Sequence, residues 1–556
     1  MSADVKPRAS RGPSRLPGAA NIGGTLLILI AVLSVALRAQ TASPPAIAEF
    51  APQAQQIKSA PAEQTSTLGS GEGGAALGTP PSPSPIPSPS PPDLNGAIIS
   101  NSCIGDPPRQ IQDPQSPPCI PYWKGNNGGP TSRGVDSTSI SIGHTQSAQQ
   151  LTALVDAVTF FNSHFMLYGR HITLQDFSGD NQGSGAPGQR AEADHEASMN
   201  IFAAMNDNNG GGISYGDQLA KDGVIATYVR PYLTEGYMAS HAPYVYSYPM
   251  AFDTLERTFA AWACARLKGG KAVHAGVGSV GLPRKFGLIY TYENLDVAAT
   301  DQVFKDSLNS CGISLTYEAQ PDSGGESTQD ERSNNLNSMI NMKTNGVTTI
   351  FCLCDRTIMN DDMQNADNQG YNPEWVVSSY DLMDDDAEIR TIVNSTTQKQ
   401  HLFGISVFPM ARQFGDKPST WDTPQDPYQS ETAEVGRDYM YRNLLLIAAG
   451  IQMAGPHLTP QSFQAGLQRA QFPNPPNAIM AGKVGFNGGS HAMTTDVAEF
   501  WWSNVDPGPL PDETSGGAWC YIGHGSRHSL ADPWPAGDPG FFSPPCDSGN
   551  EPAGSG

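Results

Sequence analysis

Short β-prone runs alternate with amphipathic stretches of ten or more residues through most of the chain. One set begins with a predicted strand over 139–142 and a helix over 146–166, and it closes with a strand over 224–227. A second set of similar size runs from a strand over 286–290 to a strand over 375–378. Strands and helices that alternate in this way form βαβ units, in which ligands bind at the carboxyl ends of parallel strands. The pattern predicts an α/β protein with two lobes and a cleft between them.

The N-terminus is typical of a targeting segment. Residues 1–20 are basic, and an apolar run over 26–37 follows them within the segment 21–38, which is the order of the n-region and h-region of an export signal. A membrane span needs about 17–25 residues, so the run is short unless 22–25 extend it. A small-x-small cleavage pattern is well formed only at 46–48. The segment is either an uncleaved anchor or a cleaved signal peptide, and both place the bulk of the chain outside the cytoplasm, membrane-bound or secreted.

The remaining sequence divides by composition. Residues 39–95 are rich in Pro, Ser and Ala and end in TPPSPSPIPSPSPPD, which favours an extended, disordered stalk because it cannot bury enough apolar area to fold. Residues 506–556 are rich in Cys, Trp and Pro and are predicted to be a loop-like tail. The two-lobed domain is predicted over 96–505, with lobe 1 at about 135–250 plus 400–505 and lobe 2 at about 275–395.

Charge and motifs argue against several classes of function. The chain carries a formal charge of −22, and the first 40 residues hold +4, so the remainder carries about −26. A surface this acidic repels phosphate backbones, which argues against nucleic-acid binding. The sequence has no H-E-x-x-H helix and no P-loop lysine, and its histidines are scattered singly. No enzyme activity, metal or cofactor is therefore predicted.

The eight cysteines fit an oxidising compartment, where an even number indicates disulfides. Two pairs are close enough in sequence to close local loops, each contributing about 3 kcal/mol by the chain-entropy estimate. These disulfide candidates are Cys103 with Cys119 and Cys520 with Cys546. The pairing of the other four, Cys264, Cys311, Cys352 and Cys354, stays open.

Three segments resemble a known family. They are 117–121 with 128–134, the strand 285–290, and the string GYNPEWVV over 370–377. In this order they resemble the type I periplasmic binding proteins, the substrate-binding proteins of branched-chain amino-acid and amide (Leu/Ile/Val-type) ABC transporters, and their cell-surface subgroup. The resemblance implies a two-lobed fold, each lobe a parallel sheet flanked by helices, with hinge crossovers between the lobes.

The resemblance also implies a cleft lined by the loops that follow the strands. Lobe 1 is expected to contribute Thr145, Gln146, Asn206, Asp207, Asn208 and Tyr228. Lobe 2 is expected to contribute Tyr292, Glu293, Asp355, Ser379, Tyr380 and Asp381, beside Cys354 and Arg356. Arg356 is expected to form an internal ion pair with its neighbour Asp355.

Several of these positions have two interpretations. Asp381 and Glu293 would pair with a ligand ammonium or would cap the next helix. Tyr228 and Tyr380 would pack against aliphatic ligand groups or would be wedges in the lobe interface. The loop at 206–209 reads NDNN before three glycines, instead of the Ser/Thr-rich loop that holds a ligand carboxylate in the family. A neutral or cationic ligand is therefore expected as readily as an anionic one.

The expected function is that of an extracytoplasmic receptor that closes on a small polar molecule, of the amino acid or amide class, and delivers it to an ABC permease in the membrane. The alternative is a membrane-anchored ligand sensor or surface scaffold that uses the same fold without transport. An enzyme or adhesive protein built on this fold is a third interpretation, because fold alone does not determine function.

Overall fold

The computed structural model describes residues 103–546 except for the gaps at 104, 112, 146–147, 178–184, 207–211, 229–232, 291–300, 320–328, 410–435, 477–480, 508–515 and 545. The predicted segments 1–20, 21–38 and 39–95 lie outside the described residues. All described residues belong to one compact unit. None of the helices in these ranges is both long and apolar enough to cross a membrane.

The first sheet is entirely parallel. Its strands are β1 (Ser139–Thr145), β2 (His171–Phe177), β3 (Ala203–Asn206), β4 (Ile225–Tyr228) and β5 (Val245–Ser247). They lie in the order β2-β1-β3-β4-β5. The helices that connect them are α1 (Ala148–His164), α2 (Gly185–Ser198), α3 (Ile213–Lys221) and α4 (Glu235–Ser240).

The second sheet is mixed. Its strands are β6 (Phe286–Tyr290), β7 (Leu315–Ala319), β8 (Thr349–Leu353), β9 (Glu374–Val377), β10 (Leu402–Ser406), β11 (Asp496–Ser503), β12 (Ala518–Tyr521) and β13 (Arg527–Ser529). They lie in the order β12-β11-β10-β9-β8-β6-β7, with β13 also paired to β11. Strands β6 to β10 are parallel, and β11 runs antiparallel to β10, β12 and β13.

The remaining helices are α5 (Phe252–Arg266), α6 (Asp301–Cys311), α7 (Gln329–Thr344), α8 (Arg356–Asn368), α9 (Asp386–Ile392), α10 (Thr396–Lys399), α11 (Gly436–Ala454) and α12 (Pro460–Arg469). Local chemistry sets several of their ends. The Asp385 and Asp355 side chains accept from the first backbone amides of α9 and α8. Thr459 and Ser462 form a capping box at the start of α12, with Pro460 as its first residue.

Burial along the strands follows their place in the second sheet. Strand β8 lies between β6 and β9, and all five of its residues are buried. Edge strand β7 instead alternates between exposed and partly buried residues before its last one, Ala319. A strand that is covered on both faces has a continuous run of apolar residues. An edge strand with one face in solvent instead has alternating apolar and polar residues. Both patterns agree with parallel sheets flanked by helices.

The predicted boundaries of lobe 1 are wrong for two strands. Strand β10 pairs with β9 through Leu402 and Trp375, and β11 pairs with β10, so both belong to the second sheet. Helices α11 and α12 nevertheless pack with the first lobe, α11 lying against α1, β3 and β4. The segment predicted as 400–505 of lobe 1 is therefore shared between the lobes. The tail predicted as loop-like also adds β12 and β13 to β11.

The structure forms four disulfides among the described cysteines: Cys103–Cys119, Cys264–Cys311, Cys352–Cys354 and Cys520–Cys546. The first and last are the two local loops expected from sequence spacing. Cys264–Cys311 joins α5 to α6. Cys352–Cys354 closes a ring across one residue at the end of β8, immediately before the cap of α8.

Within the described residues, the chain passes between the two sheets in three places. The first crossing follows β5 at Tyr248 and leads into α5, which packs on α6. The second leaves β10 at Val407, before α11 returns to the first lobe. The third is at Thr494 and Thr495, since Ala492 still bridges to Ser247 of β5 and Asp496 begins β11.

A buried polar cluster surrounds the first crossing. Arg442 of α11 forms an ion pair with Asp113 at 2.7 Å, and the two side chains are 1% and 0% exposed. The Gln115 side-chain oxygen accepts from Arg442 at 2.8 Å and from the Tyr248 hydroxyl at 2.7 Å. Gln115 also donates to the carbonyl of Ala481 at 2.6 Å. The lead-in, which is the described chain from Cys103 to the start of β1, is thus part of the hinge.

The tail contacts the other two crossings in a similar way. Arg527 of β13 forms a buried ion pair with Asp496 at 2.8 Å. Its guanidinium also donates to the carbonyls of Val407 at 2.7 Å and Phe408 at 2.8 Å. One tail side chain therefore links the second crossing to the third.

We expect Arg442→Met to lower the free energy of unfolding by up to about 3–5 kcal/mol, because it removes the buried guanidinium 2.7 Å from the Asp113 carboxylate and leaves the more distant interaction with Arg109. The matched control is Arg257→Met. Arg257 pairs with Asp253 one turn away on an exposed helix face, and such pairs contribute about 0.3–0.5 kcal/mol. Urea unfolding of the full chain measures both changes. Equal, small losses for the two variants would contradict a buried hinge pair.

Candidate ligand-binding site

The carboxyl ends of the parallel strands bring part of the predicted site together. In the first sheet β1, β3 and β4 are neighbours, so Thr145, Asn206 and Tyr228 lie along one edge. In the second sheet β8 and β9 are neighbours, which places Asp355 beside the segment that starts at Ser379. Five predicted site residues lie outside the described residues: Gln146, Asp207, Asn208, Tyr292 and Glu293.

Tyr228 packs inside the first lobe. Its side chain is 3% exposed and belongs to a core cluster with Leu219 and Met238. Its hydroxyl donates to the carbonyl of Gly212 at 3.3 Å. A Cβ at Gly216 would lie 2.5 Å from that hydroxyl, so glycine at this position makes room for the tyrosine. In this structure the ring packs within lobe 1.

The first lobe also holds polar side chains that sequence reasoning missed. The buried face of α2 carries Gln189, Glu192 and Glu196 together with two alanines. The hydroxyl of Tyr215 donates to Glu196, and burial together with that carboxylate raises the pKa of Tyr215 well above its usual value. A Cβ at Gly212 would lie 2.8 Å from the Gln189 amide. The sequence signal that could have indicated this polar cluster is the spacing of positions 189, 192 and 196, which places their polar residues on one helix face.

In the second lobe Asp355 is a helix cap. Its carboxylate accepts from the amides of Thr357 at 2.8 Å and Ile358 at 2.9 Å at the start of α8. Burial raises its pKa, these hydrogen bonds lower it, and Asp381 nearby adds to the rise. Arg356, which was expected to pair with Asp355, forms ion pairs with Asp381 and Glu388.

Arg356, Asp381 and Glu388 form a charged cluster at the end of β9. The Arg356 guanidinium lies 3.2 Å from the Asp381 carboxylate and 2.9 Å from that of Glu388. The backbone amide of Arg356 donates to Asp381 at 3.1 Å, and the guanidinium donates to the Asp381 carbonyl at 2.9 Å. Asp381 and Leu382 have φ values of 46° and 60°. Two successive non-glycine residues in the left-handed region are strained, and such strain clusters at functional sites.

Ser379 and Tyr380 lie beside the crossings. The Ser379 hydroxyl donates to Asp384 and accepts from the amide of Val407 at 2.7 Å. Tyr380 is 1% exposed, and its ring lies 5.3 Å from that of Phe252 at the start of α5. Both side chains therefore connect the end of β9 to the hinge.

Comparison with known proteins identifies the fold. No protein-family model matches the sequence, and no curated protein matches it. A periplasmic binding protein from Burkholderia mallei superposes with a TM-score of 0.52 at 12% identity, over 72% of this chain and 96% of that one. An ABC-transporter substrate-binding protein from Aeropyrum pernix gives 0.51 at 11%, over 71% and 97%. A solute-binding protein from R. palustris, in complex with 4-hydroxybenzoate, gives 0.50 at 11%, over 71% and 98%. The chain has the type I periplasmic-binding-protein fold.

One motif in this periplasmic-binding fold matches a hydrolase pattern. Residues 212–216 have the G-x-S-x-G spacing of a serine nucleophile elbow, which sequence reasoning passed over. Ser214 is 5% exposed in the first turn of α3, and its hydroxyl accepts from Arg190 at 3.2 Å. An elbow needs its serine on a sharp turn directly after a strand, whereas β3 already ends at Asn206. The structural context therefore does not support a nucleophile here.

Asp362 adds a buried acid to the second lobe of this fold. It lies on α8 among Met359, Met363 and other core residues and is fully buried. Neither of its carboxylate oxygens has a hydrogen-bond partner in the described part of the chain. Burial raises its pKa well above the usual range, and the nearby Asp361 and Asp355 raise it further. The folded state therefore holds Asp362 protonated at a pH where the unfolded chain ionises it.

We expect Asp362→Asn to remove a pH dependence of stability. With the folded-state pKa raised, the native chain binds one more proton than the unfolded chain above about pH 4, so wild-type stability falls as pH rises from there to the folded-state pKa. Urea unfolding of both chains from pH 4 to 8 should show a growing advantage for the variant. The control Asp306→Asn changes an exposed acid. Parallel pH curves for wild type and Asp362→Asn would contradict the assignment.

Proposed function

We propose that the chain is an extracytoplasmic solute-binding protein that closes its lobes on a small polar ligand of the amino acid or amide class and serves an ABC importer. The observation that supports the proposal is that polar residues end or follow the parallel strands of both sheets. Asn206 ends β3 in one lobe, and Asp355 and Asp381 follow β8 and β9 in the other. Clefts of this kind hold ligands through a few fixed polar groups.

The charges of the second lobe favour a ligand with an amine. Asp381 and Glu388 lie close to one guanidinium, that of Arg356, and Asp355 lies near Asp381. Carboxylates therefore outnumber cations at this end of the sheet. An ammonium group can replace part of the interaction that Arg356 makes with Asp381, whereas an added carboxylate would meet net negative charge. The R. palustris neighbour with 4-hydroxybenzoate thus supports binding of a small solute rather than this particular chemistry.

A membrane-anchored sensor or surface scaffold is the second candidate, because the sequence predicts an apolar N-terminal segment and a stalk. Measuring uptake of the ligand by cells distinguishes the transport role from the sensor or scaffold role. A cell that lacks the chain should lose import of the ligand if the chain serves a permease, and should retain import if the chain only senses the ligand.

Ligand binding by the full chain in detergent is expected to raise its thermal unfolding midpoint. We would screen amino acids, amides, polyamines, sugars and short-chain acids. A ligand at 100 times its dissociation constant adds about 2.7 kcal/mol of stability. Uniformly unchanged midpoints from a folded chain would contradict the receptor proposal and favour the scaffold.

For an amine ligand found in that screen, we expect Asp381→Asn to weaken binding by about 1.5–3 kcal/mol, the range for a hydrogen bond to a charged group. The amide keeps an acceptor for the Arg356 backbone, so the helix start is preserved. Asp306→Asn, an exposed acid on α6, should leave the affinity unchanged. Titration calorimetry gives both values. Equal affinities for the two variants would remove Asp381 from the site.

A further inference from the structure

The loop between α5 and β6, residues 271–283, exposes an unusual number of aliphatic side chains. Four of the ten large hydrophobic residues that are exposed in the described part of the chain lie here: Val273 at 50%, Val277 at 85%, Val280 at 54% and Leu282 at 48%. Scattered exposed hydrophobic residues are normal, but a contiguous group marks a surface that contacts a partner or a membrane.

Polar contacts hold this 271–283 loop in a defined shape. The backbone amide of His274 donates to Glu374 at 3.1 Å, and the His274 carbonyl lies 2.6 Å from a ring nitrogen of His401. The amide of Gly276 donates to the carbonyl of Asn372 at 2.9 Å. Beyond the loop, Arg284 forms a buried ion pair with Glu374 at 2.8 Å. The aliphatic side chains are thus presented by an anchored backbone.

The sequence around the loop is basic in an otherwise acidic protein, and the one acid that the tail brings to the loop, Asp538, is paired with His274 at 2.5 Å. The chain has 54 acidic residues against 32 lysines and arginines, yet no acid occurs from 257 to 292. Lys268, Lys271 and Lys285 are exposed at the two ends of the loop. Exposed aliphatic side chains flanked by lysines are typical of segments that dip into the boundary of an anionic bilayer.

We propose that the 271–283 loop binds an anionic lipid surface. The valines and Leu282 would enter the boundary between headgroups and acyl chains, while the three lysines would contact phosphate groups. A second copy of the chain fits less well, because a symmetric contact through this loop would bring the lysines of the two copies close together. The proposal does not depend on the ligand. The predicted N-terminal anchor, where retained, would keep the loop near a bilayer.

Hydrogen–deuterium exchange of the full chain tests this proposal. The chain is added to vesicles of phosphatidylcholine alone or of phosphatidylcholine with phosphatidylglycerol. Any insertion of the N-terminal segment is common to both, so the difference reports on lipid charge. Each lysine near an anionic surface strengthens binding roughly fivefold, and we expect exchange in loop peptides to slow by at least about fivefold with phosphatidylglycerol only.

Two variants should abolish that protection: Val277→Asp with Val280→Asp, and Lys268→Glu with Lys271→Glu and Lys285→Glu. The control variant Val155→Asp changes an exposed valine on α1 in the other lobe. This variant should retain the protection of the loop. Thermal unfolding midpoints equal to wild type show that the variants fold. Equal protection by both vesicles, protection that rises with protein concentration without lipid, or no protection at all would each overturn the proposal.

Discussion

Buried ion pairs at the crossings are the constraint on which the arrangement of the lobes depends. Asp113–Arg442 and Asp496–Arg527 have side chains that are at most 3% exposed. Removing either partner would leave a charge in the interior, so each pair keeps its segments together. One member of the first pair comes from the lead-in before β1, and one member of the second comes from the tail after β11. The hinge is therefore built partly from the two ends of the domain.

The chain is longer than the part of it that superposes on the solved proteins of this fold. The Burkholderia mallei structure is covered over 96% of its length but matches only 72% of this chain, so the chain carries substantial sequence beyond the shared fold. The lead-in and the tail are each closed by a disulfide, Cys103–Cys119 and Cys520–Cys546. Because both contact the crossings directly, a change in the angle between the lobes must be accommodated by these contacts.

Sequence periodicity predicted whether a segment is a helix or a strand better than it predicted which strands pair with each other. The strand expected at 286–290 is observed as Phe286–Tyr290, because a short apolar run between polar turns is a local signal. The sheet to which Leu402–Ser406 and Asp496–Ser503 belong was assigned wrongly, because strand partners are chosen by tertiary packing. The same limit applies to the site: that Arg356 pairs with Asp381, 25 positions away, follows from a left-handed turn that the sequence does not signal.

The candidate ligand site and the 271–283 loop lie at opposite ends of the second sheet. Asp355 and Asp381 follow the carboxyl ends of β8 and β9, whereas the loop is bound to Glu374 and Asn372 at the amino end of β9. The acidic end suits a ligand amine, and the basic, aliphatic end suits anionic lipid. A protein partner would recognise the closed lobes at their strand ends, whereas a bilayer would contact the loop. The two would therefore not compete for the same residues. Lipid contact would therefore orient the domain and leave the ligand site accessible to solvent.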